Sequence, residues 1–412
     1  MFIINGNIYT MADKNIENGY ISIQKGKIVK VGDMKELAEG NLIKGTEKKP
    51  EDKKSGSKKN NKSYNIDEKI LDVKGAWVMP GIIEAHCHVG ITEEKNGTVG
   101  DDVNEVSDPI TPTLRGLDAI NPMDPEFHDA IKAGITSVMT GPGSSNVVGG
   151  QFVFMKTQGR CIDEMIVKAP AAMKVAFGEN PKNNYGNKGK MPGTRMAIAA
   201  LLREELFLAK QYKEKKDNGS LEEADFKMEA WMPVLNREIP LKAHVHRTDD
   251  ILTAIRIGKE FGVDMTLDHC TEGHLIAQEI VESGFPAIVG PDLTSRSKVE
   301  VQNMNFKTSG NLSKAGVTVA ITTDHPVSIL HYLPICAGLA VKNGLSMEEG
   351  LKAITINAAK ICRVEDRVGS LEPGKDADIA IFSGNPMETF TKTLYTIIDG
   401  KIVYNFMEDE EK

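Results

Sequence analysis

The sequence predicts an α/β fold in which a (β/α)8 barrel is joined to a small β domain that both chain ends build. Two observations carry this prediction. The first and last stretches of the chain show short β patterns, and the middle alternates eight apolar runs with amphipathic helical patterns. The chain has 412 residues, which is enough to bury a large core.

Both chain ends carry the turn-separated pattern that is typical of β hairpins. Near the N-terminus, FIINGNIYTM is followed by ENGYISIQKGKIVKVGD, with Asn-Gly and Lys-Gly steps as turn signals. Near the C-terminus, DADIAIFSG and TKTLYTIIDGKIVYN repeat this pattern. We therefore predict a composite β domain formed by residues 1–70 and 362–412, and a barrel domain formed by residues 71–361.

A lysine-rich stretch, KGTEKKPEDKKSGSKKNNKS, interrupts the first β region at residues 44–63. Its eight lysines and three acidic residues give a local charge of about +5, which leaves about −13 for the rest of the chain. The stretch has no apolar periodicity with which to pack. We interpret it as a solvated, flexible insert, with binding to a polyanion as the alternative.

The middle of the chain supplies the eight candidate strands of the barrel. In chain order they are AWVMPGIIEAH, GITSVMTGP, MIVKAP, AMKVAFG, LKAHVH, DMTLDH, FPAIVGP and VTVAITTD. Helical patterns lie between several of them. One is TDDILTAIRIGKEFG, which begins with an N-cap signal and ends at a glycine. Such alternation over about 290 residues fits a (β/α)8 barrel better than an open sheet.

Composition excludes several classes of protein. The net charge of −8 argues against general nucleic-acid binding, and no apolar run approaches the length of a membrane span. The N-terminal residues lack the features of a signal peptide. Five scattered cysteines do not form a disulfide framework and suit a reducing cytoplasm. We therefore expect a cytoplasmic protein with a small-molecule substrate, no nucleic-acid or membrane partner, and homo-oligomerisation left open.

Ionisable residues close several of the predicted strands. Because the carboxyl ends of barrel strands surround one site, their side chains should converge. The residues are His86 and His88, Lys174 and Glu179, His244 and His246, His269, and Asp324. Residues two apart on a strand share a face, so His86 and His88 can bind one ion together. Imidazole and carboxylate ligands suit Zn²⁺, with Fe²⁺, Mn²⁺ or Ni²⁺ as alternatives.

Several of these motifs resemble the amidohydrolase superfamily, nearest its imidazolonepropionase-like and prolidase-like branches. They are VMPGIIEAHCHVG, the runs that end DHC and TTDH, and the tail AITINAAKICRVEDRVGSLEPGKDADIAIFSG. The resemblance covers nearly the whole chain. It implies a distorted barrel that binds one or two metal ions and a β-sandwich built from both chain ends. It also implies metal ligands at His86, His88, His244, His269 and Asp324.

Two ligand assignments stay open. On the fifth strand the resemblance favours His244 over His246 as the metal ligand. His246 is then a candidate for substrate binding. On the fourth strand it favours Lys174, carboxylated on its amine so that it can bridge two metals, over Glu179 in the following turn. Lys174 could instead be an ordinary strand residue beside a single metal ion.

Further site candidates lie beyond the strand ends. His274 follows the sixth strand and is a candidate catalytic or substrate-contacting residue. Substrate choice in barrel enzymes depends on the loops after the strands. In those loops Arg115, Tyr185 and Arg195 are candidates for substrate binding.

The expected activity is hydrolysis of a C–N bond in a cyclic amide, an N-acyl amino acid or a dipeptide-like substrate. The resemblance implies a metal-activated hydroxide, with Asp324 as the general base. The alternative is deamination of an amino-heterocycle, but the HxxE that such relatives carry after strand five is replaced by HVHRTDD. A metal-free scaffold on the same fold is a remote alternative, because no expected ligand is missing.

Overall fold

The protein is described by a computed structural model that covers residues 1–39, 69–94 and 97–410. The predicted lysine-rich insert at 44–63 lies outside the described residues. Within them, no helix has both the length and the apolar character needed to cross a membrane.

The strands and helices alternate through the middle of the chain, as expected. The strands are β1 (Phe2–Ile8), β2 (Ile16–Gln24), β3 (Lys27–Asp33), β4 (Ile70–Asp72), β5 (Trp77–Pro80), β6 (Ile82–Cys87), β7 (Ile135–Thr140), β8 (Val148–Lys156), β9 (Ile166–Ala176), β10 (Leu241–Val245), β11 (Met265–His269), β12 (Ala287–Val289), β13 (Val319–Ile321), β14 (Ile379–Phe382), β15 (Thr393–Ile398) and β16 (Lys401–Asn405). The helices are α1 (Met34–Glu39), α2 (Pro125–Lys132), α3 (Ile162–Met165), α4 (Glu179–Gly186), α5 (Arg195–Asp217), α6 (Phe226–Glu229), α7 (Met232–Leu235), α8 (Thr248–Phe261), α9 (Ala277–Ser283), α10 (Lys307–Ala315), α11 (Leu333–Lys342), α12 (Met347–Ala353), α13 (Ile356–Cys362) and α14 (Phe406–Glu410).

One sheet combines the two ends of the chain. Its strands follow the order β16-β15-β14-β5-β1-β2-β3, and β4 also pairs with β1. The antiparallel pairing of β14 with β5 places Ile381 opposite Val78 and so joins the C-terminal part of the sheet to the N-terminal part. Both of these side chains belong to an apolar cluster with Ile3, Ile379 and Ile397. The division at residues 70/71 and 361/362 stays a prediction.

The second sheet contains β6 to β13 in chain order and forms a nearly closed barrel. Its neighbouring strands are parallel except at β8, which runs antiparallel to both β7 and β9. Hydrogen bonds from His88 N–H to the carbonyl oxygen of His325, and from Thr322 Oγ1 to that of His86, link the first and last strands. The predicted fold class is therefore confirmed, and the antiparallel strand is one distortion of the regular barrel.

The sequence prediction of the third and fourth strands was wrong in detail. MIVKAP and AMKVAFG are parts of the single strand β9, and β8 was missed. Pro170 lies within β9, opposite a register irregularity of β8, where a missing N–H is tolerated. Gly149 and Gly150 both lie within β8, although glycine usually weakens or interrupts a strand.

The predicted first strand is also two strands, because the chain passes from one sheet to the other at Gly81. β5 ends at Pro80 and β6 begins at Ile82. A Cβ atom on Gly81 would lie only 2.1 Å from Oγ1 of Thr136, so the barrel packs directly against this backbone. The step needs a residue without a side chain.

Candidate metal centre

Seven ionisable side chains meet at the carboxyl ends of the barrel strands. They are His86, His88, Lys174, His244, His246, His269 and Asp324. Six of them form two groups in which the candidate ligand atoms lie within 4.8 Å of one another. The first group is His86, His88 and Asp324, and the second is His244, His246 and His269.

In the first group, two imidazoles turn their Nε2 atoms towards Asp324. His86 Nδ1 lies 2.7 Å from a carboxylate oxygen of Asp268, and His88 Nδ1 lies 2.7 Å from the carbonyl oxygen of Gly141. Because both partners accept hydrogen bonds, each ring carries a proton on Nδ1 and turns Nε2 away from these partners. Each Nε2 lies 3.3 Å from Oδ1 of Asp324. Three acceptor atoms thus face one point, which is the arrangement that a cation satisfies.

Asp324 is held in its charged form at the edge of this group. Burial opposes its ionisation, but His269, His86 and His88 together hold the pKa of the carboxyl well below its ordinary value. Its Oδ1 has no hydrogen-bond partner among the described residues. The backbone has a φ of 51°, and its N–H donates to Oγ1 of Thr322 at 2.9 Å. The carboxylate is therefore fixed by the turn after β13 and left free to bind a ligand.

The second group presents three more imidazoles. His269 Nδ1 donates to the carbonyl oxygen of Gly290 at 2.8 Å, which leaves Nε2 as its free ligand atom. Burial lowers the pKa of His244 and His246 well below the ordinary value, so both rings are neutral at pH 7. Oε1 of the buried Glu300 lies 3.6 and 3.7 Å from Nε2 of His244 and His246. This group also has the ligand types of a divalent-metal site.

Lys174 lies beside the first group, whereas Glu179 is not a member of either group. The Lys174 Nζ atom is 3.2 Å from Nε2 of His86, and burial lowers the pKa of the amine to about 8. No carboxylate within the described ranges forms an ion pair with it. Glu179 begins α4, and its backbone N–H donates to Oε2 of Glu300 at 2.8 Å. The carboxylate next to the second group thus belongs to Glu300, which the sequence analysis did not identify.

A buried charge network supports His86 from below. Asp268 Oδ2 lies 3.1 Å from Nζ of Lys242, and its Oδ1 accepts from Oγ1 of Thr266 at 2.7 Å. Burial opposes ionisation of Asp268, but Lys242 and His86 hold its pKa below the ordinary value. Lys242 also donates to the carbonyl oxygen of Ala85. The sequence signal was present as charged residues inside the apolar strands LKAHVH and DMTLDH, although it does not reveal their pairing.

Glu84 provides a second support, between the first and last barrel strands. Its Oε2 accepts from the N–H and the hydroxyl of Thr323 at 2.9 and 2.7 Å, and its Oε1 accepts from the N–H of His86 at 3.0 Å. Burial raises the pKa of Glu84 to about 7. The carboxyl therefore orders the backbone on both sides of the first group.

Four other candidate side chains are not placed at the two groups. Arg115 pairs with Asp118 at 2.9 Å and is 54% exposed. Arg195 begins α5 and pairs with Asp250 at 3.0 Å. Both guanidinium groups thus have carboxylate partners of their own.

Tyr185 and His274 are also engaged elsewhere. The Tyr185 hydroxyl is buried and donates to Oδ1 of Asn146 at 2.6 Å. His274 lies in a 3₁₀ turn after β11, where Nδ1 is 3.0 Å from Oγ1 of Thr308. Neither side chain lines the cavity next to the metal-ligand groups.

A cavity of about 310 Å³ opens above the two groups. His88, His244, His246 and Asp324 form part of its wall. The rest of the wall is mixed: it has apolar residues such as Val301 and Met304 and the polar residues Asp101, Asn104, Ser144, Asn180, Thr294, Ser295, Ser297 and Lys298. Its volume is at the lower end of the range for small-molecule sites.

This site and fold agree with the comparisons. A sequence model described as the amidohydrolase family matches residues 237–404. A solved amidohydrolase from Thermotoga maritima MSB8 is 37% identical, with a TM-score of 0.88, and the alignment covers 98% of this chain and 99% of that one. The chain belongs to the amidohydrolase family. The resemblance found in the sequence is confirmed, and the protein is an enzyme of a family that acts on C–N bonds.

Curated amidohydrolase relatives are more distant. Amidohydrolase tasK from Hapsidospora irregularis is 26% identical over 367 residues, which are 80% of this chain but only 37% of that protein. The dihydroorotase of Elusimicrobium minutum is 23% identical over 369 residues, with 81% and 82% of the two chains covered. Shorter matches, over 186 and 102 residues, are to an imidazolonepropionase and to 5-methylthioadenosine/S-adenosylhomocysteine deaminases. The superfamily generally uses a divalent metal, and the converging acceptor atoms described above fit one.

Proposed function

We propose that this amidohydrolase uses one or two divalent cations to hydrolyse a C–N bond in a cyclic amide, an N-acyl amino acid or a dipeptide-like substrate. The observation that carries the proposal is the meeting of three acceptor atoms, Nε2 of His86, Nε2 of His88 and Oδ1 of Asp324, where His88 and Asp324 line the cavity. Without a cation, this buried arrangement would leave acceptors facing one another at a cost in free energy.

The residues that would hold the cations are the ones that present free ligand atoms. His86, His88 and Asp324 form the first position, and His244 or His246 with His269 form the second. Lys174 lies beside the first position and, if carboxylated on its amine, would supply an anionic ligand that could be shared by two cations. Zn²⁺ suits these ligands best, with Fe²⁺, Mn²⁺ and Ni²⁺ as alternatives. When bound, such a cation lowers the pKa of water towards 7 and polarises the carbonyl group under attack.

Asp324 is the group that moves the proton in this proposal. Its carboxylate is ionised and is fixed by the turn after β13. The side chain is 14% exposed and lines the cavity. It can therefore accept a proton from the attacking water and donate it to the leaving nitrogen. Positioning is supplied by Asp268 and Glu84, which hold His86 by its ring and by its backbone.

The cavity limits the size and polarity of the substrate. A volume of about 310 Å³ suits a small molecule, and the amides and hydroxyls of the wall can bind polar groups of an amide substrate. Deamination remains the alternative function, because one group of relatives carries a deaminase name. Within the described part of the chain, however, no glutamate lines the cavity to shuttle a proton in the way such an enzyme requires.

One experiment separates these functions. The purified protein is analysed for bound metals and then assayed with lactams, N-acyl amino acids, dipeptides and amino-heterocycles. The proposal expects bound divalent metal and amide or peptide hydrolysis that chelation abolishes. Ammonia release from the heterocycles alone would support the deaminase, and full activity after exhaustive chelation would contradict both metal-dependent functions.

A further inference from the structure

The loop after β12 carries an ion pair that faces both the second metal-ligand group and the cavity. Lys298 Nζ lies 2.6 Å from Oε1 of Glu300, and it also donates to Oδ1 of Asn180 at 3.0 Å. Glu300 lies in a 3₁₀ turn, Val299–Val301. The side chain of Glu300 is 1% exposed, whereas that of Lys298 is 28% exposed.

Glu300 has the position and the chemistry of a metal ligand. Its Oε2 is occupied by the backbone N–H of Glu179, which fixes the carboxylate in place. Its Oε1 is buried, lies within 3.7 Å of Nε2 of both His244 and His246, and forms an ion pair with Lys298. A cation between them would therefore have the Nε2 atoms of His244 and His246 and one carboxylate oxygen within reach.

Lys298 supplies the positive charge at the cavity wall. It is the one lysine or arginine among the described residues that line the cavity. In the structure, its charge is balanced by Glu300. A divalent cation on the other side of Glu300 would attract that carboxylate and repel the ammonium group, because unlike and like charges would then be a few ångströms apart in a buried setting.

We propose that Glu300 is a ligand of the cation position formed by His244, His246 and His269, and that its engagement there leaves Lys298 free to bind the carboxylate of an anionic substrate. The inference rests on the proposed function and narrows it to amides that carry a free carboxylate, such as N-acyl amino acids and dipeptides. A lysine is suited to this task because its ammonium group is a compact charge on a flexible stem.

The proposal that Glu300 is a metal ligand can be tested by metal retention, without any substrate. The full-length zinc-loaded protein is dialysed against graded concentrations of a chelator, and the zinc that remains is counted for the wild type, Glu300→Gln and Lys298→Met. We expect Glu300→Gln to lose one zinc at a chelator concentration about tenfold or more lower. Lys298→Met removes the competing ammonium group, so its zinc should be retained equally well or better.

The opposite directions of these two variants make the test selective. A merely structural ion pair predicts that both variants lower the melting temperature and leave zinc retention unchanged. That result, or a loss of zinc from Lys298→Met equal to that from Glu300→Gln, would overturn the assignment of Glu300. Circular dichroism of each variant checks that it is folded.

The proposal that Lys298 binds the carboxylate of the substrate can be tested by ligand binding. The zinc-loaded protein is titrated with N-acetylglycine and with N-acetylglycinamide, which differ in the carboxylate. We expect the wild type to prefer N-acetylglycine, and Lys298→Met to lose that preference by about tenfold. Equal binding of the two probes by the wild type, or no binding of either, would contradict the proposal that Lys298 binds the carboxylate of the substrate. A protein that binds zinc but hydrolyses nothing would instead contradict the proposed function, so the two failures are distinguishable.

Discussion

The ring of His86 donates from Nδ1 to the carboxylate of Asp268 at 2.7 Å, deep beneath the first metal-ligand group. This bond fixes the tautomer that leaves Nε2 free for a cation, and it orients the ring. We predict that Asp268→Ala lowers zinc affinity by 10- to 100-fold, the usual cost of removing such a partner. Competition with a chelating dye measures it. Unchanged affinity would show that the ring is oriented by other contacts.

Lys242 and Asp268 form a buried ion pair, so substitutions at the two positions should have non-additive effects on the free energy of unfolding. The two side chains are 1% and 0% exposed, and Nζ lies 3.1 Å from Oδ2. Removing one partner leaves the other charge uncompensated, so we expect Lys242→Met to cost about 3–5 kcal/mol. Lys242→Met/Asp268→Asn should cost less than the sum of the two single changes. Additive losses in a denaturant-unfolding cycle would exclude this coupling.

Lys174 and Glu179 should differ sharply in their effect on metal content. Burial lowers the pKa of Lys174 to about 8, which raises the fraction of neutral amine available for carboxylation at pH 7. We predict that Lys174→Ala loses bound metal and that the matched change Glu179→Ala retains it, as measured by elemental analysis. Metal loss from Glu179→Ala alone would reverse the assignment of the fourth-strand ligand.

Asp376 should make stability depend on acid pH. It lies at 3.1 Å from Lys156 and 2.7 Å from Arg367, and it also contacts Lys27. Burial opposes its ionisation, but Lys156, Lys27 and Arg367 hold its pKa below the ordinary value of 3.8. Its contribution is therefore present above the unfolded pKa and is lost as the pH falls through the folded pKa.

The corresponding variant is Asp376→Asn, with the exposed Asp366→Asn as its control. We expect the first to lower the melting temperature at pH 7, with a loss of stability smaller than the about 3–5 kcal/mol of a fully broken buried ion pair, because Lys156 keeps Asp378 as a partner. The deficit should shrink as the pH falls below 3.8 and through the lower folded pKa, because the wild-type carboxyl then becomes protonated as well. A deficit that is the same at pH 7 and pH 3 would show that the charge of Asp376 is not responsible.

Much of the fold was predictable because its signals are local. Apolar runs and turn residues marked the two sheets, and the helix at Thr248–Phe261 ends at Gly262 with a φ of 67°, as its sequence suggests. β8 and the continuous β9 were not predictable, because Gly149, Gly150 and Pro170 usually interrupt strands. Here the neighbouring strands tolerate them at register irregularities.

The residues of the candidate site also differ in whether the sequence alone can identify them. Residues that end a strand, such as His86 and His269, can be found from their position in the sequence. Glu300 cannot, because it lies eleven residues after β12 and reaches the site only through the path of its loop. The choice between His244 and His246 was also beyond the sequence, and the structure places both in one group.

The central claim is that Asp324 moves the proton while His86 and His88 hold the cation, and one set of measurements tests it most directly. Metal stoichiometry and kcat are determined together for Asp324→Asn, His86→Ala and His88→Ala. An asparagine keeps an oxygen for the cation but cannot accept a proton at neutral pH. We predict that Asp324→Asn retains most of its metal while kcat falls by about two orders of magnitude or more, and that both histidine variants lose metal and activity together. Bound metal with near-normal kcat in Asp324→Asn would contradict the account at its central step.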